Sequence, residues 1–440
     1  MNLHVGLVVL GALAFSQISF GRVIYGQDNR VEVSDATPFQ QKLAKSAASM
    51  VSNLVITRDP NRPGVVQLGQ LTLKDWLESM EDNKRQKSIQ TDGPTETSAK
   101  LSFCEGERFV NQPNPGTCSG FLIAPDLIIT AGHCVQDANF CTDNSWVFGF
   151  EYDSTTKSAG KDIKESDVYH CKRVISNALN MSLGLDYALV QLDRRVTDRG
   201  PLEISINDKI QDQTELFIIG SPSGLPLKVA GGANVRTNTH PYFFSANLDS
   251  FQGNSGSGVF NASSGVIEGI LVRGEQDYVL NKEKGCVEAK KCANNTCRGE
   301  DVTRLTAIPE VGIQGALNRA AESGNIKNLE KLLSLNVWID FYSKDGQSAL
   351  LKAVKAGKIN SVEFLISKGA DVNLQDSNGE TSLHLLASIS NSTEMMNLLL
   401  KNKARVDIKN NAGETALMKA ISAKNTKAIK ILSSLVSQVN

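Results

Sequence analysis

Three glycines, Gly346, Gly379 and Gly413, open near-copies of one pattern about thirty-three residues apart, and no other feature constrains the fold of the C-terminal third so tightly. The copies read DGQSALLKAVKAGKINSVEFLISKGADVN from Asp345, NGETSLHLLASISNSTEMMNLLLKNKARVD from Asn378 and AGETALMKAISAKNTKAIKILSSL from Ala412. A divergent copy containing ALNRAAESGNIKNLEKLLSLN starts near Gly312. Each copy encodes helix, turn, helix and a loop ending in a β-turn, with apolar faces that only stacking can bury. About four copies, the first divergent, therefore predict an all-α repeat stack over residues 306–440.

The period and the TSLH motif resemble the ankyrin repeat, which implies a module that binds a protein partner: a substrate, an anchor, an inhibitor or the chain's own N-terminal part. His384 fills the usual Thr-x-x-His position of TSLH and is expected to cap a helix, not to do chemistry.

The remaining 300 or so residues are of another kind. With 41% hydrophobic and 21% charged residues and a net charge of −1, the 440-residue chain is globular and multidomain, with no electrostatic sign of a nucleic-acid or membrane-surface partner. An apolar run from Val5 to Phe15, followed by small and polar residues to Gly21, predicts a secretory signal over 1–21, cut after Ser16 or Gly21. Its leading segment is weak, with His4 in place of Lys or Arg, and a buried N-terminal strand is the alternative. No later stretch is suited to a bilayer span. All eight cysteines fall between Cys104 and Cys297, which predicts a disulfide framework made in an oxidising compartment, periplasmic or extracellular. Cys286, Cys292 and Cys297 lack a Cys-x-x-Cys pair and a nearby histidine, so no metal site is expected.

Residues 22–33 predict a short strand entering a polar turn, and 38–56 a helix leading into a strand. Residues 57–100 form a polar insertion in which Leu73, Trp76, Leu77 and Met80 recur at helical spacing behind a Thr72/Asp75 cap. Two roles are open for it, packing on the neighbouring domain or shielding a site. From Leu101 to Leu305 short apolar runs such as Phe121–Ile123, Leu127–Ile129, Tyr187–Leu192, Leu216–Ile219 and Val266–Leu271 alternate with turn residues, which is the pattern of an all-β sandwich or barrel.

Within that region lies LDSFQGNSGSGVF, residues 248–260. A serine between glycines on a tight turn suits a nucleophile beside converging backbone N–H groups, although such turns are often plain punctuation. The hydroxyl needs an imidazole to take its proton and an acid to fix that imidazole's tautomer. His4 leaves with the signal and His384 belongs to the repeats, so His133, His170 and His240 remain.

His133 lies in GTCSGFLIAPDLIITAGHCV, residues 116–135, which resembles the histidine region of trypsin-like (chymotrypsin-fold) serine endopeptidases. In that family a cysteine sixteen residues upstream bonds the one after the histidine, and Cys118 and Cys134 keep this spacing. Asp186 in GLDYALVQLD precedes an apolar strand as the family's aspartate does, whereas Asp193 ends that strand. The resemblance spans residues 22–305 and implies an all-β double β-barrel. It also implies Ser255 as nucleophile, His133 as base and then acid, Asp186 as its orienter, and the N–H groups of Gly253 and Ser255 as the oxyanion hole. The substrate would be a protein or peptide, with no cofactor and no metal. His170 and His240 are left as structural or surface residues, and Cys141–Cys171 is a further expected pairing.

The likeness has departures. Eukaryotic members place an aspartate before the nucleophile to receive the N-terminus created by activation; Asn254 stands here, as in the bacterial glutamyl endopeptidases, which implies a bacterial-type enzyme. RVIYG still resembles the activation site, with a cut after Arg22. Asp249, Ser250 and Gln252 match the floor of trypsin's specificity pocket and imply cleavage after Arg or Lys. Against this, Arg273 on the far wall, where trypsin has an aromatic residue, is placed to pair with Asp249, and Leu271 replaces the histidine of the glutamate-specific branch. The expected protein is thus an exported serine endopeptidase with an ankyrin module; the rival is a non-catalytic binding protein on a protease-like scaffold.

Overall fold

The computed structural model describes residues 23–80, 101–205, 209–335, 337–341, 346–389 and 392–436. The expected signal segment, 1–21, Arg22 and the second half of the polar insertion, 81–100, lie outside the described residues.

Among the described residues, twelve strands of the first domain form two closed rings. Six close a barrel: β1 (Ala47–Ser52), β2 (Gly116–Ala124), β3 (Leu127–Thr130), β4 (Asn144–Phe148), β5 (Val168–Asn180) and β6 (Leu185–Leu192). Six more close a second: β7 (Glu215–Gly220), β8 (Lys228–Thr237), β9 (Phe243–Ala246), β10 (Gly258–Asn261), β11 (Ile267–Arg273) and β12 (Glu300–Arg304). The first ring runs β5-β6-β3-β2-β1-β4 and closes through β4–β5; the second runs β7-β10-β11-β12-β9-β8 and closes through β7–β8. Numbered within its own barrel, each ring has the same order, first-fourth-fifth-sixth-third-second. This is the double β-barrel implied by the resemblance.

The short apolar runs are nearly unbroken because their strands are buried on both faces. Successive side chains point to opposite sides, so Leu122, Ile128, Ala188 and Val190 fill the first barrel, and Leu216, Ile218 and Leu271 the second. Their neighbours Phe121, Ile123, Ile129, Leu189, Phe217, Ile219, Ile270 and Val272 form a third cluster shared by both barrels. Four disulfides, Cys104–Cys286, Cys118–Cys134, Cys141–Cys171 and Cys292–Cys297, use all eight cysteines.

The N-terminal elements follow their local signals. Pro38–Ala44 is helical behind a Thr37/Gln40 capping box, and β1 follows. In the insertion, Thr72 N–H donates to Asp75 Oδ2 and Asp75 N–H to Thr72 Oγ1, both at 3.1 Å, which starts a helix over 73–80. Its buried Leu73 donates its N–H to the Gln112 carbonyl at 3.1 Å, so this part of the insertion packs onto the domain.

Four helix pairs follow: Pro309–Ser323 with Ile326–Leu333, Ala349–Lys355 with Ile359–Ser367, Ser382–Ala387 with Thr393–Lys401, and Ala416–Ser422 with Thr426–Val436. His384 Nδ1 meets Thr381 Oγ1 at 2.8 Å and its Nε2 meets the Glu414 carbonyl at 3.0 Å, tying one repeat to the next. The stack grows out of the domain's core, because Ile308, Val311 and Phe341 belong to the shared cluster. Trp338 Nε1 donates to Asp126 Oδ1 at 2.9 Å, and Arg195 pairs with Asp340 and Asp371 at 3.2 and 2.9 Å. Asp126 and Arg195 lie at the ends of β3 and β6 opposite to Thr130 and Asp186. Six residues of strand put about 20 Å between the two ends.

Candidate active site

His133 sits on the 3-10 turn Gly132–Val135 that follows β3. The turn is pressed against the β5–β6 hairpin: a Cβ on Gly132 would lie 2.3 Å from the Ala178 carbonyl oxygen and 2.8 Å from that of Tyr187. Only glycine permits this approach. The hairpin presents Asp186, fully buried, whose Oδ1 accepts from the His133 N–H at 3.1 Å and whose Oδ2 meets Nδ1 at 2.8 Å. Two contacts to one residue fix the ring plane and assign the proton to Nδ1, leaving Nε2 as an acceptor. Nε2 lies 2.7 Å from Ser255 Oγ. Residues 53 and 122 positions apart from His133 therefore meet on its two ring nitrogens.

Ser255 stands on a turn shaped by Gly253 at φ +93° and Gly256 at φ +88°. A Cβ on Gly256 would lie 2.0 Å from the Ser119 carbonyl oxygen. Ser119, which sequence reasoning missed, binds the turn from below: its Oγ donates to the Gly253 carbonyl at 2.9 Å and its N–H to the Ser255 carbonyl at 2.7 Å. No local signal marks it except its place beside Cys118. The Gln252 carbonyl accepts from the Ser223 N–H. Since C=O and N–H oppose each other in a trans peptide, the Gly253 N–H is aimed away from Ser223. Cys118 and Cys134 sulfurs lie close to His133, but they are bonded to each other and offer no thiolate for a metal.

The expected pocket residues are arranged differently. Asp249, only 4% exposed, is turned toward the N-terminal segment, where its oxygens accept from the Tyr25 and Asn29 N–H groups at 2.7 and 2.9 Å. Burial raises its pKa to about 6. Arg273 does not pair with Asp249; its Nε lies 3.3 Å from Asp301 Oδ2, and its Nη2 donates to the Gly184 carbonyl at 3.0 Å. Strand alternation explains this, since Arg273 in β11 lies opposite Asp301 in β12. Leu271 is buried inside the second barrel. Ser250 Oγ donates to Glu300 Oε2 at 2.7 Å, a buried acid absent from the expected site. A charged pair, Glu300-Asp301, opening an otherwise strand-like EDVTR is the only sequence sign of it.

Asn254 is buried, and its Oδ1 accepts from Ser257 Oγ at 3.4 Å. The N-terminal segment runs elsewhere: Ile24–Tyr25 pairs in parallel with Lys291–Cys292, and the Ser250 N–H donates to the Val23 carbonyl at 3.4 Å. Arg108 donates to the Asp28 and Arg30 carbonyls, and Gln112 bridges Glu32 and Lys228, which are themselves paired at 2.8 Å.

A family model described as a trypsin-like peptidase domain matches residues 118–270, a span that holds His133, Asp186 and Ser255. A model described as ankyrin repeats matches three times, over residues 292–376, 317–410 and 353–440. The chain is a trypsin-like peptidase domain joined to ankyrin repeats. No curated protein matches its sequence. The peptidase domain points to protein substrates and the ankyrin repeats to protein–protein contact. Its disulfides, with no helix among the described residues long and apolar enough to cross a membrane, are compatible with an extracellular or periplasmic place.

Proposed function

We propose that the protein is an exported serine endopeptidase. His133 Nε2 takes the proton of Ser255 Oγ as the oxygen attacks the scissile carbonyl, and the N–H groups of Gly253 and Ser255 receive the oxyanion. The imidazolium, held by Asp186, then protonates the leaving amine as the C–N bond breaks. Water, deprotonated by the same imidazole, releases the acyl group and returns the proton to Ser255. The observation that carries this proposal is the unbroken chain from Asp186 through His133 to Ser255, at 2.8 and 2.7 Å. Ser250 and the wall bearing Arg273 border the substrate's side chain. Cleavage after Arg or Lys is part of the proposal.

The signal segment 1–21 would direct a bacterial-type enzyme of residues 22–305 to the periplasm or medium. The stack of residues 306–440 would hold a protein partner. Its junction is about 20 Å of strand from Asp186, so a partner is held beside the catalytic cleft and the stack does not plug it. The test is hydrolysis of a peptide library by the secreted chain. Ser255→Ala, His133→Ala and Asp186→Asn each lower turnover by about four to six orders of magnitude. Turnover untouched by Ser255→Ala would rule the proposal out.

A further inference from the structure

The junction between the barrels and the stack holds a cleft of about 610 Å³ that the peptidase chemistry does not use. That volume falls in the range of ligand sites, roughly 300–1,000 Å³. Ile175 of β5 lines it from the first barrel, and Leu333, Leu335, Val337 and Trp338 line it from the first repeat. The Trp338 indole is fixed by its Nε1 bond to Asp126, and Leu335 is left 53% exposed. Glu310 also lines the cleft, and its Oε2 is buried with no hydrogen-bond partner among the described residues. A carboxylate oxygen without water or a donor is costly to keep, so it favours an incoming cation. The other acids of the cleft are already engaged. Asp126 accepts from Trp338 and from Gln191 Nε2, both at 2.9 Å, and Asp340 is paired with Arg195 at 3.2 Å.

We propose that this cleft docks a lysine side chain of a partner protein, in a segment where acidic residues flank that lysine. The proposal builds on the reading that the stack holds a protein partner and is independent of the peptidase reaction. A lysine stem can cover the apolar wall of Ile175, Leu333 and Val337 while its ammonium reaches Glu310. One unpartnered oxygen suits that compact charge better than the planar two-pronged fork of arginine. A tryptophan in the wall further favours a cation over a neutral head. The flanking acids follow from the cations of the cleft. Arg173 and Lys368 are exposed and have no ion-pair partner among the described residues: Arg173 Nε donates to Gln191 Oε1 at 3.0 Å, and Lys368 Nζ lies 5.4 Å from the Phe364 ring centroid. Arg195 differs, since Asp340 and Asp371 neutralise it. The buried acid therefore takes the ammonium, and the exposed cations take carboxylates on either side.

The test uses the full chain carrying Ser255→Ala, which cannot cut the probe, and reads fluorescence anisotropy. The probe is the dye-labelled peptide Glu-Leu-Lys-Leu-Glu, amidated at its C-terminus, compared with the same peptide holding norleucine in place of lysine. The lysine peptide binds about tenfold or more tightly than the norleucine peptide, the value of a charge-assisted hydrogen bond. Adding Glu310→Gln removes that difference. Adding Leu335→Ser, at an exposed position that the fold does not need, weakens both peptides by about fivefold. Arg173→Ala together with Lys368→Ala weakens both and flattens the salt dependence of binding. Thermal melts identify any variant that fails to fold, and the comparison of the two peptides on the parent needs no further variant. No binding at millimolar peptide, equal affinity for the two peptides, or a lysine preference that survives Glu310→Gln overturns the inference. The last result leaves the stack a partner site elsewhere. Fluorophosphonate labelling of the chain with Ser255 intact is scored separately: its absence strikes the peptidase proposal, while the peptide titration, made without Ser255, still decides the cleft.

Discussion

Asp249→Asn tests the seating of the N-terminal segment. Burial raises the folded-state pKa of Asp249 from 3.8 to about 6, Asp28 adds to the rise, and the Tyr25 and Asn29 N–H bonds oppose it. A raised folded pKa means that the group's contribution to stability is fully present below 3.8 and is lost as pH rises through about 6. Linkage then gives the native chain about 1 kcal/mol more stability at pH 5 than at pH 7 from this one group, and about 2 kcal/mol more at pH 4. The substituted chain has nothing to titrate there. Urea unfolding of both chains at pH 4, 5 and 7 therefore isolates the group, because shared titrations cancel in the difference. Near pH 7 the two chains are close in stability: the buried charge removed offsets the loss of one N–H acceptor, about 1–3 kcal/mol. A difference that stays flat from pH 7 to pH 4 would refute the burial of an ionised Asp249 against Tyr25 and Asn29.

Gly132→Ala places a methyl against the carbonyls of Ala178 and Tyr187, displaces His133 from Asp186, and lowers kcat by about a hundredfold in a protein that still folds, measured against titrated active sites. Trp338→Ala removes the indole and its bond to Asp126; hydrogen exchange over residues 309–341 speeds up, while the labelling rate of Ser255 stays the same because the junction is remote. His384→Ala deletes the link from Thr381 to the Glu414 carbonyl and destabilises the stack by about 1–3 kcal/mol, read by helical circular dichroism, without changing peptide hydrolysis.

Sequence reasoning reached what is written in contiguous residues. The glycine period marks the repeats because each helix pair is local, and the Thr72/Asp75 and Thr37/Gln40 caps are local as well. His133, Asp186 and Ser255 were legible because each lies in its own motif, and the barrels bring them to hydrogen-bond distance. The pocket was less legible for the opposite reason. Asp249 is captured by N–H groups more than two hundred residues upstream. Arg273 takes Asp301 through strand register, and Ser250 bonds Glu300 from fifty residues downstream. Such choices depend on which buried donors the folded backbone leaves unpaired, and no local pattern records them.

An activated Ser255 reacts covalently with an electrophile that an ordinary serine hydroxyl ignores. The test is incubation of the purified, folded chain with a fluorophosphonate probe, followed by mass spectrometry of the labelled peptide. One label per chain is expected on Ser255, in the peptide containing LDSFQGNSGSGVF, and none after Ser255→Ala or His133→Ala. A folded mature chain that takes no label, or one labelled equally after Ser255→Ala, would contradict that activation.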